Sequence, residues 1–499
     1  MIENFLAGTG ALFGDPMTIG IFVFGVLGGM LFGAIPGVSM LTLAAILLPF
    51  TAGLEPAQGV MLFAVIYCTG TYGGAITAIL FNIPGAPENA PTSFDGYPMT
   101  KQGKAGKAVG AAVMCSAIGG VASALVMMSA TEPLAKWAIR NIGPPEIFAL
   151  VFFGLAVASS VGGRTIWKGW MSVLLGLMIA TIGQDPVGGI NRYNFGFADL
   201  AAGIAFVPAI LGFFAVSEIF IQAEKKATGN FEAPKMGMSF PSFLEIWAHK
   251  IAVLRSILVG FFCGILPGIG ATLAAFMGYG EAVRWSKNKD EFGKGKMEGV
   301  ISSETANNAA TGAAMIPLLA LGLPGGALTA MMVAVFQMHD LEPGPLVFYN
   351  SPDLIWIVFA AMFYANLSIL FIGLIETKTI LYLLKIPFQF LAPLILLLAT
   401  IGAYIGRGLV LDVVVMFGAG IIGFLLRRSG YSIPGIVLGI ILGKIGEQNF
   451  AQGMQMVHYD LGTYFSRPIC AVLIAAGALT LIAGVYKALT ATSKSASQA

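Results

Sequence analysis

The chain has 499 residues, of which 57% are hydrophobic and 10% charged, with a net charge of +2 and a mean hydropathy of +0.85. Soluble domains carry roughly 25% charged residues, so this is the composition of a polytopic integral membrane protein, and so small a net charge excludes a basic surface for nucleic acid. The 65 glycines and 25 prolines are too many for plain spanning helices and suit discontinuous, closely packed ones.

A window of about 19 to 20 apolar residues marks a span. The opening, MIENFLAGTG, has no basic n-region, so no cleaved leader is expected. The first span lies near Met17 to Ile35. Apolar sequence continues from Val38 to Phe50, too short to cross comfortably. The two make either a span plus a re-entrant piece or a hairpin of short helices. Gln58 to Ile83 follows and is unusually polar, with Thr69, Thr71, Tyr72 and Thr77 set among glycines. Asn82 to Ala108, NIPGAPENAPTSFDGYPMTKQGKAGKA, reads as a loop, or as irregular backbone lining a polar cavity. Asp95 and Lys101 to Lys107 within it read as solvated. Further spans are Ala108–Ala130, Pro145–Val161, Lys168–Gly183 and Asp199–Ile221. The hydrophilic stretch around 223–250 then divides the chain into a first membrane unit, 1–222, and a second, 251–499.

The second unit opens with Ile251–Leu266 and Ile269–Val283, then a basic loop from Arg284 to Gly299. Ser302–Leu321, Gly325–Met338, Asp353–Glu376, Ile380–Ile401, Val410–Leu426, Ile433–Leu442 and Pro468–Tyr486 follow. The expected fold is all-α, with about 12 to 14 transmembrane or re-entrant helices. The basic loop and the Lys225, Lys226 and Lys235 linker both argue for a cytoplasmic face. They share one side if Ile251–Leu266 and Ile269–Val283 form a hairpin. The basic segments at Lys136/Arg140 and Arg164/Lys168 flank a single apparent span and cannot share a side if it crosses.

Two Pro-Gly breaks in the first unit return in the second. Gly29, Gly33, Pro36 and Gly37 match Gly260, Gly264, Pro267 and Gly268 at an offset of 231. Tyr72–Ala90 aligns without gaps with Gly312–Ala330 at an offset of 240, placing Pro84 and Gly85 on Pro324 and Gly325. Broken helices at corresponding places in two halves point to a transporter binding site, and two facing broken sites favour an inverted relation between the halves.

A helix broken inside a bilayer leaves free N–H groups at one half-helix and free C=O groups at the other. An anion suits the N–H end and a small cation the C=O end. The substrate-binding candidates are therefore Pro36, Gly37, Ser39, Asn82, Pro84, Gly85, Pro267, Gly268, Gly270, Pro324 and Gly325, joined by Asn307 and Asn308. In SSETANNAATG, Glu304, Asn307, Asn308 and Thr311 fall at i, i+3, i+4 and i+7 and share one helix face. An intramembrane carboxylate beside two amides is a functional-site hypothesis. The cation-binding candidates are Thr77, Glu304, Asn308 and Thr311. The alternatives are helix-packing kinks for the breaks and a capping cluster at the membrane surface for the polar face.

No enzyme is expected. Cys68, Cys115, Cys263 and Cys470 form no CxxC pair, the three histidines have no ligand spacing, and no P-loop is present. No metal is expected beyond Na+, and no cofactor. An intramembrane protease would need paired acids or a nucleophile with a base inside spans. A channel stays open as a second class.

The order GxxxGxxPG (Gly29–Gly37), YGGxITAILxNIPGxPxxAPTxxDGYPM (Tyr72–Met99), GxLPGIG (Gly264–Gly270), ExxNNAxxG (Glu304–Gly312) and the segment Pro317–Gly325 resembles the large membrane subunit of the tripartite tricarboxylate transporters. The resemblance covers nearly the whole chain, and the NIPG…DGYP block is its most specific part. It implies a multi-pass permease of the bacterial inner membrane. The partners it implies are a small four-helix membrane subunit and a periplasmic solute-binding protein. The function it implies is uptake of citrate-like carboxylates by symport with Na+ or H+. The alternative is an anion-selective channel, or a secondary carboxylate transporter working without a binding protein.

Overall fold

The computed structural model describes residues 1–35, 38–161, 165–185, 187–224, 240–266, 270–383 and 388–496. Helix α1 (Ile2–Gly14) precedes α2 (Pro16–Ala34), whose first turn is capped by the Asp15 carboxylate accepting from Thr18 N at 2.8 Å. After α3 (Met40–Leu47) and a 3-10 turn at Leu48–Gly53 comes α4 (Pro56–Phe81). A 3-10 turn at Pro87–Asn89 leads into α5 (Ala90–Lys101), and α6 (Ala105–Asn141) follows. Then come α7 (Pro144–Val161), α8 (Ile166–Ala180) and a small hairpin of β1 (Gly183–Gln184) on β2 (Asn191–Arg192). Next, α9 (Phe206–Ile210) runs through a π-helical turn into α10 (Ser217–Glu224).

Beyond the linker lie α11 (Phe243–Trp247), α12 (Lys250–Ile265), α13 (Gly270–Trp285), α14 (Met297–Leu321) and α15 (Ala327–Met338). They are followed by α16 (Val347–Asn350), α17 (Pro352–Leu383), α18 (Phe388–Ile405), α19 (Val410–Arg428), α20 (Ile433–Met456), α21 (Leu461–Ser466) and α22 (Pro468–Ala496). Among the described residues seven helices are long and apolar enough to cross a membrane, and five shorter ones are apolar. The fold is all-α and polytopic, as composition requires.

One expectation fails. Asn82–Ala108 is not a loop throughout, because residues 90–101 form helix α5. Pro91 lies in its first turn, where the missing N–H costs nothing. Pro98 sits one turn from the end, so a single interior hydrogen bond is lost. Asp95 is not solvated either: it is fully buried.

Helix α2 packs with α3 and α12 with α13 as helical hairpins, and α2, at 19 residues, is itself long and apolar enough to cross a membrane. Gly28 of α2 faces Leu43 of α3. The Arg255 guanidinium near the start of α12 lies 4.9 Å over the Trp285 ring at the end of α13, and Cys263 and Met277 meet nearer the tip. Pro36 and Gly37, and likewise Pro267 and Gly268, lie outside the described residues.

Each hairpin packs on a central helix through glycine. A Cβ on Gly33 would stand 2.4 Å from the carbonyl oxygen of Gly70 in α4, and one on Gly264 would stand 2.5 Å from that of Ala310 in α14. Gly33 and Gly264 match at the first sequence offset, and Gly70 and Ala310 at the second. The second breaks also correspond. Asn82 (φ 58°) and Gly322 (φ 74°) end α4 and α14 in the left-handed conformation, which asparagine and glycine tolerate. Beyond them Ile83 N donates to Thr77 O at 3.3 Å and Leu323 N to Pro317 O at 3.1 Å. Gly85 then folds back on Gly74, as Gly325 does on Ala314.

Chain ends and turns sort to two sides. Lys107 Nζ meets Glu245 at 2.7 Å, a contact that holds the Glu245 carboxyl below the usual range. Gln102 donates to Lys294 O, Lys168 to Ser429 O and Arg427 to Glu218. On the opposite side Pro49 touches Gly402, Arg407 reaches Gly203 O, Arg192 pairs with Glu447 and Arg467 with Glu146. Helix α7 runs from the second side to the first, so Lys136 and Arg140 lie on the opposite side from Lys168.

If the glycine contacts set the spacing of hairpin and central helix, Gly264→Ala should lower the melting midpoint of the detergent-solubilised protein by several degrees, since overpacking costs about 1–3 kcal/mol. Gly280→Ala, on the same hairpin with open space around it, should leave the midpoint unchanged. Heating followed by fluorescence size-exclusion measures both.

Candidate functional site

Helices α4 and α14 have no lipid-facing side. Every residue from Gln58 to Leu80 and from Gly299 to Ala320 is buried. Burying polar side chains in such helices is costly unless each finds a protein partner. Apart from Ser302, the polar residues of α14 find theirs within their own helix and in the first half of the chain.

Glu304 is fully buried. Its carboxylate accepts from the Thr92 hydroxyl of α5 and from Ser116 Oγ of α6, the latter at 2.9 Å. The side chains of Asn89 and Asn307 also face it. Thr92 shares a further 3.0 Å hydrogen bond with Ser303. Asn307 Nδ2 donates to Glu88 O at 3.3 Å, and Asn308 Nδ2 donates to Asn307 Oδ1 at 2.8 Å and Glu304 O at 3.3 Å. Thr311 Oγ1 donates to Asn308 O and lies 3.8 Å from Cys68 Sγ on α4. These side chains are enclosed in the middle of the protein, not set at a helix end on its surface.

The segment Gly85–Asn89 joins the two hairpins. A Cβ on Gly85 would strike Gly33 O of the first hairpin at 2.0 Å. Glu88 accepts from Thr272 Oγ1, in the first turn of α13, at 3.4 Å. Asn89 Nδ2 donates to Thr71 O at 2.8 Å, and Gly74 leaves the room that Asn89 Oδ1 occupies. Ser39 caps α3 beside this segment: the next residue, Met40, packs on Gly70. Gly270 opens α13 with φ 60° and no neighbour within 4 Å of a Cβ.

The sequence candidates divide accordingly. Glu304, Asn307, Asn308 and Thr311 form one network, with Gly85 and Gly270 at its edges. Asn82 and Pro84 belong to the turn that ends α4. Thr77 bonds its own helix, through Oγ1 to Gly74 O at 3.4 Å, and has no described contact with Glu304. Pro324 and Gly325 cap the opposite end of α14 from Glu304. Sequence reasoning missed Glu88, Asn89, Thr92 and Ser116, whose only signal was their place in the NIPG…DGYP block or on a small-residue helix face. It also missed Asn366 of α17, buried against Gly120.

Asp95 has a different task. Its Oδ1 accepts from the backbone N–H groups of Gly293, Gly295 and Lys296 at 2.8–2.9 Å, and its Oδ2 from Tyr279 Oη at 2.9 Å. One carboxylate on α5 thus holds the loop that leads into α14.

Residues 19–438 match the model of the tripartite tricarboxylate transporter TctA family. The chain is 36% identical over 465 residues to an uncharacterized 52.8 kDa protein in the TAR-I ttuC' 3'region of Agrobacterium vitis, across 93% of this chain and 92% of that one. It is 35% identical over 223 residues to an uncharacterized protein in the TAR-II ttuC' 3'region of the same organism, across 45% of this chain and 92% of that one. No solved structure matches.

Removing the Asp95 charge should free the loop it holds. In Asp95→Ala, trypsin should cut after Lys289 or Lys294 at least about tenfold faster than in the unaltered protein, as expected when a carboxylate with three N–H donors is lost. Equal cleavage rates by mass spectrometry would refute this role.

Proposed function

Because the chain belongs to the tripartite tricarboxylate transporter TctA family, we propose that it is the large membrane subunit of an importer taking up an organic carboxylate together with a small cation. It is a multi-pass membrane protein of a transporter family whose name implies further subunits. In this reading those are a small membrane subunit and a solute-binding protein outside the bacterial inner membrane. Citrate-like acids are the substrate class, and Na+ or H+ is the coupling ion.

The inventory of buried charge carries the reading. The buried acids are Glu88, Asp95, Glu146, Glu218, Glu304 and Asp412, and among the described residues no lysine or arginine is buried. Glu146, Glu218 and Asp412 each hold an arginine at a helix end. Asp95 holds three backbone N–H groups. Only Glu88 and Glu304 lack both, and both lie between the hairpins. A site with two acids and no basic side chain cannot take a carboxylate unless positive charge enters with it. Carboxylates would be held by backbone N–H groups at the start of α3 and α13, and by Asn307 and the Gly85 segment.

The placement of the turns favours inverted halves. The first hairpin opens on the side of Pro49 and Gly402, and the second on the side of Lys107 and Lys294. Basic residues crowd the side of Lys107 and Lys294, in the 284–296 loop, Lys101–Lys107, Lys168 and Arg427–Arg428, while Lys225, Lys226 and Lys235 lie outside the described residues. The positive-inside rule makes that side cytoplasmic.

The test is uptake of labelled citrate by proteoliposomes carrying all subunits, with other di- and tricarboxylates as competitors. Uptake should saturate and should cease when choline replaces Na+ at constant pH and no proton gradient is applied. If only a proton gradient restores it, H+ is the coupling ion. Asn308→Leu should lower the rate at least about tenfold, with the protein still inserted. Flux that neither saturates nor needs a cation would make the protein a channel.

A further inference from the structure

The duplication of the hairpins and breaks does not extend to their polar chemistry. At the offset of 240 that aligns Gly85 with Gly325 and Asn82 with Gly322, Glu304 falls on Ala64, Asn307 on Tyr67 and Asn308 on Cys68, while Thr311 falls on Thr71. The central helix of the first half thus carries no carboxylate or amide where that of the second half carries three such groups.

Two amide oxygens of the network around Glu304 lack donors, as does that of Asn366, which lies against Gly120. Asn89 Oδ1 and Asn308 Oδ1 are fully buried and have no hydrogen-bond partner. Neither amide can be turned to remedy this. Asn89 Nδ2 faces the carbonyl of Thr71, and Asn308 Nδ2 faces the oxygens of Glu304 and Asn307, so a flip would set oxygen against oxygen. The Glu304 carboxylate adds two oxygens, each accepting one hydroxyl, with the side chains of Asn89 and Asn307 also facing it.

We infer that these groups form one binding site for a dehydrated monovalent cation of the Na+ type, and that the first half has no second such site. This rests on the reading of the protein as a cation-coupled importer and narrows it to one alkali ion, held by Glu304 and Asn308 of the second half with Asn89 of the first. The ligands are hard oxygens with a total charge of −1, which one monovalent ion neutralises. A transition metal would want nitrogen or sulfur, and among the described residues no three His, Cys, Asp or Glu side chains converge. Cys68 and Tyr67 offer a thiol and a phenol in place of the amides, and Ala64 offers nothing.

The site is tested without any carboxylate. The purified full-length protein in detergent is melted in NaCl, KCl or choline chloride at equal ionic strength, with tryptophan fluorescence as the readout. NaCl should raise the midpoint by a few degrees over choline, with a saturation curve of Hill slope near 1. Glu304→Gln keeps the shape, with its one oxygen still accepting a hydroxyl and its NH2 donating to the other, and should lose the shift, while its midpoint in choline reports that it is folded. Asn308→Ala should raise the Na+ concentration needed for half the shift about tenfold or more, Asn308→Ser should recover part of it, and Cys68→Ala should change nothing. No shift in the unaltered protein, an undiminished shift in both Glu304→Gln and Asn308→Ala, or a Hill slope near 2 overturns the proposal. A normal Na+ shift with no carboxylate uptake would instead overturn the reading of the transported substrate and leave the ion site standing.

Discussion

A helix with no side facing lipid must satisfy every polar group it carries from other parts of the protein. Both α4 and α14 are in this position, and the rest of the arrangement follows from it. Neighbouring backbones must come close, so small residues face them: Gly29, Gly33 and Gly73 on one side of the molecule, Gly260 and Gly264 on the other. Polar side chains must be met within the core, so Thr92, Ser116 and Ser123 appear on α5 and α6 opposite α14. Ser123 Oγ, for example, donates to Ala309 O. The outer helices have no such duty. Helices α19 and α22 keep most of their apolar surface exposed, as lipid contact allows.

Much of this was legible in the chain. Composition identified a membrane protein, and the spacing of Gly29, Gly33 and Pro36 marked a helix that another backbone approaches before it breaks. The two offsets matched positions that make matching contacts, down to the left-handed residues Asn82 and Gly322. What stayed hidden has physical causes. A 12-residue helix with two prolines has no periodic signal to find, so α5 looked like a loop. Asp95 looked solvated because its partners are backbone N–H groups 198 to 201 residues away, and backbone donors leave no mark on a sequence. Thr92 and Ser116 were invisible for a related reason. Each is a common residue in a small-residue environment, and only the fold shows that they end on the same carboxylate. Hydropathy did not decide how the hairpin helices sit in a membrane: α2 is long and apolar enough to cross, whereas α12 and α13 have 16 residues each and carry charges such as Arg255 and Glu281.

The asymmetry between the halves bears on how such a protein acquires function. Backbone features survive at matched positions because they are set by close packing, where one added carbon collides with a carbonyl oxygen. Side-chain chemistry on the same helix face is free to diverge as long as it is satisfied. Ala64, Tyr67 and Cys68 need few partners; Glu304 and Asn307 find theirs in Thr92, Ser116 and the Glu88 carbonyl of the first half, while Asn308 bonds only its own helix. The two halves therefore share a scaffold but hold unequal parts of one site.

The same contacts limit how the molecule can move. Glu304 ties α14 to α5 and α6, Asn307 ties it to the Glu88 carbonyl, and Asp95 ties α5 to the loop before α14. All of these join residues from before the linker to residues after it; those of Glu304 and Asn307 are buried, and those of Asp95 are partly so. Rocking one half against the other would break them together, at about 1–3 kcal/mol for each buried group left unsatisfied. The boundary between this centre and the outer helices is different. Where α3 meets the π-helical turn and α18, the contact is made by Ile46, Ala215 and Ile395, with Ile219, Leu391 and Leu398 around them. Apolar surfaces can slide without losing a hydrogen bond. On the proposed function, movement along this apolar contact would cost fewer hydrogen bonds than rocking the halves, although Tyr72 Oη of α4 also donates to Gly373 O of α17 at 3.2 Å.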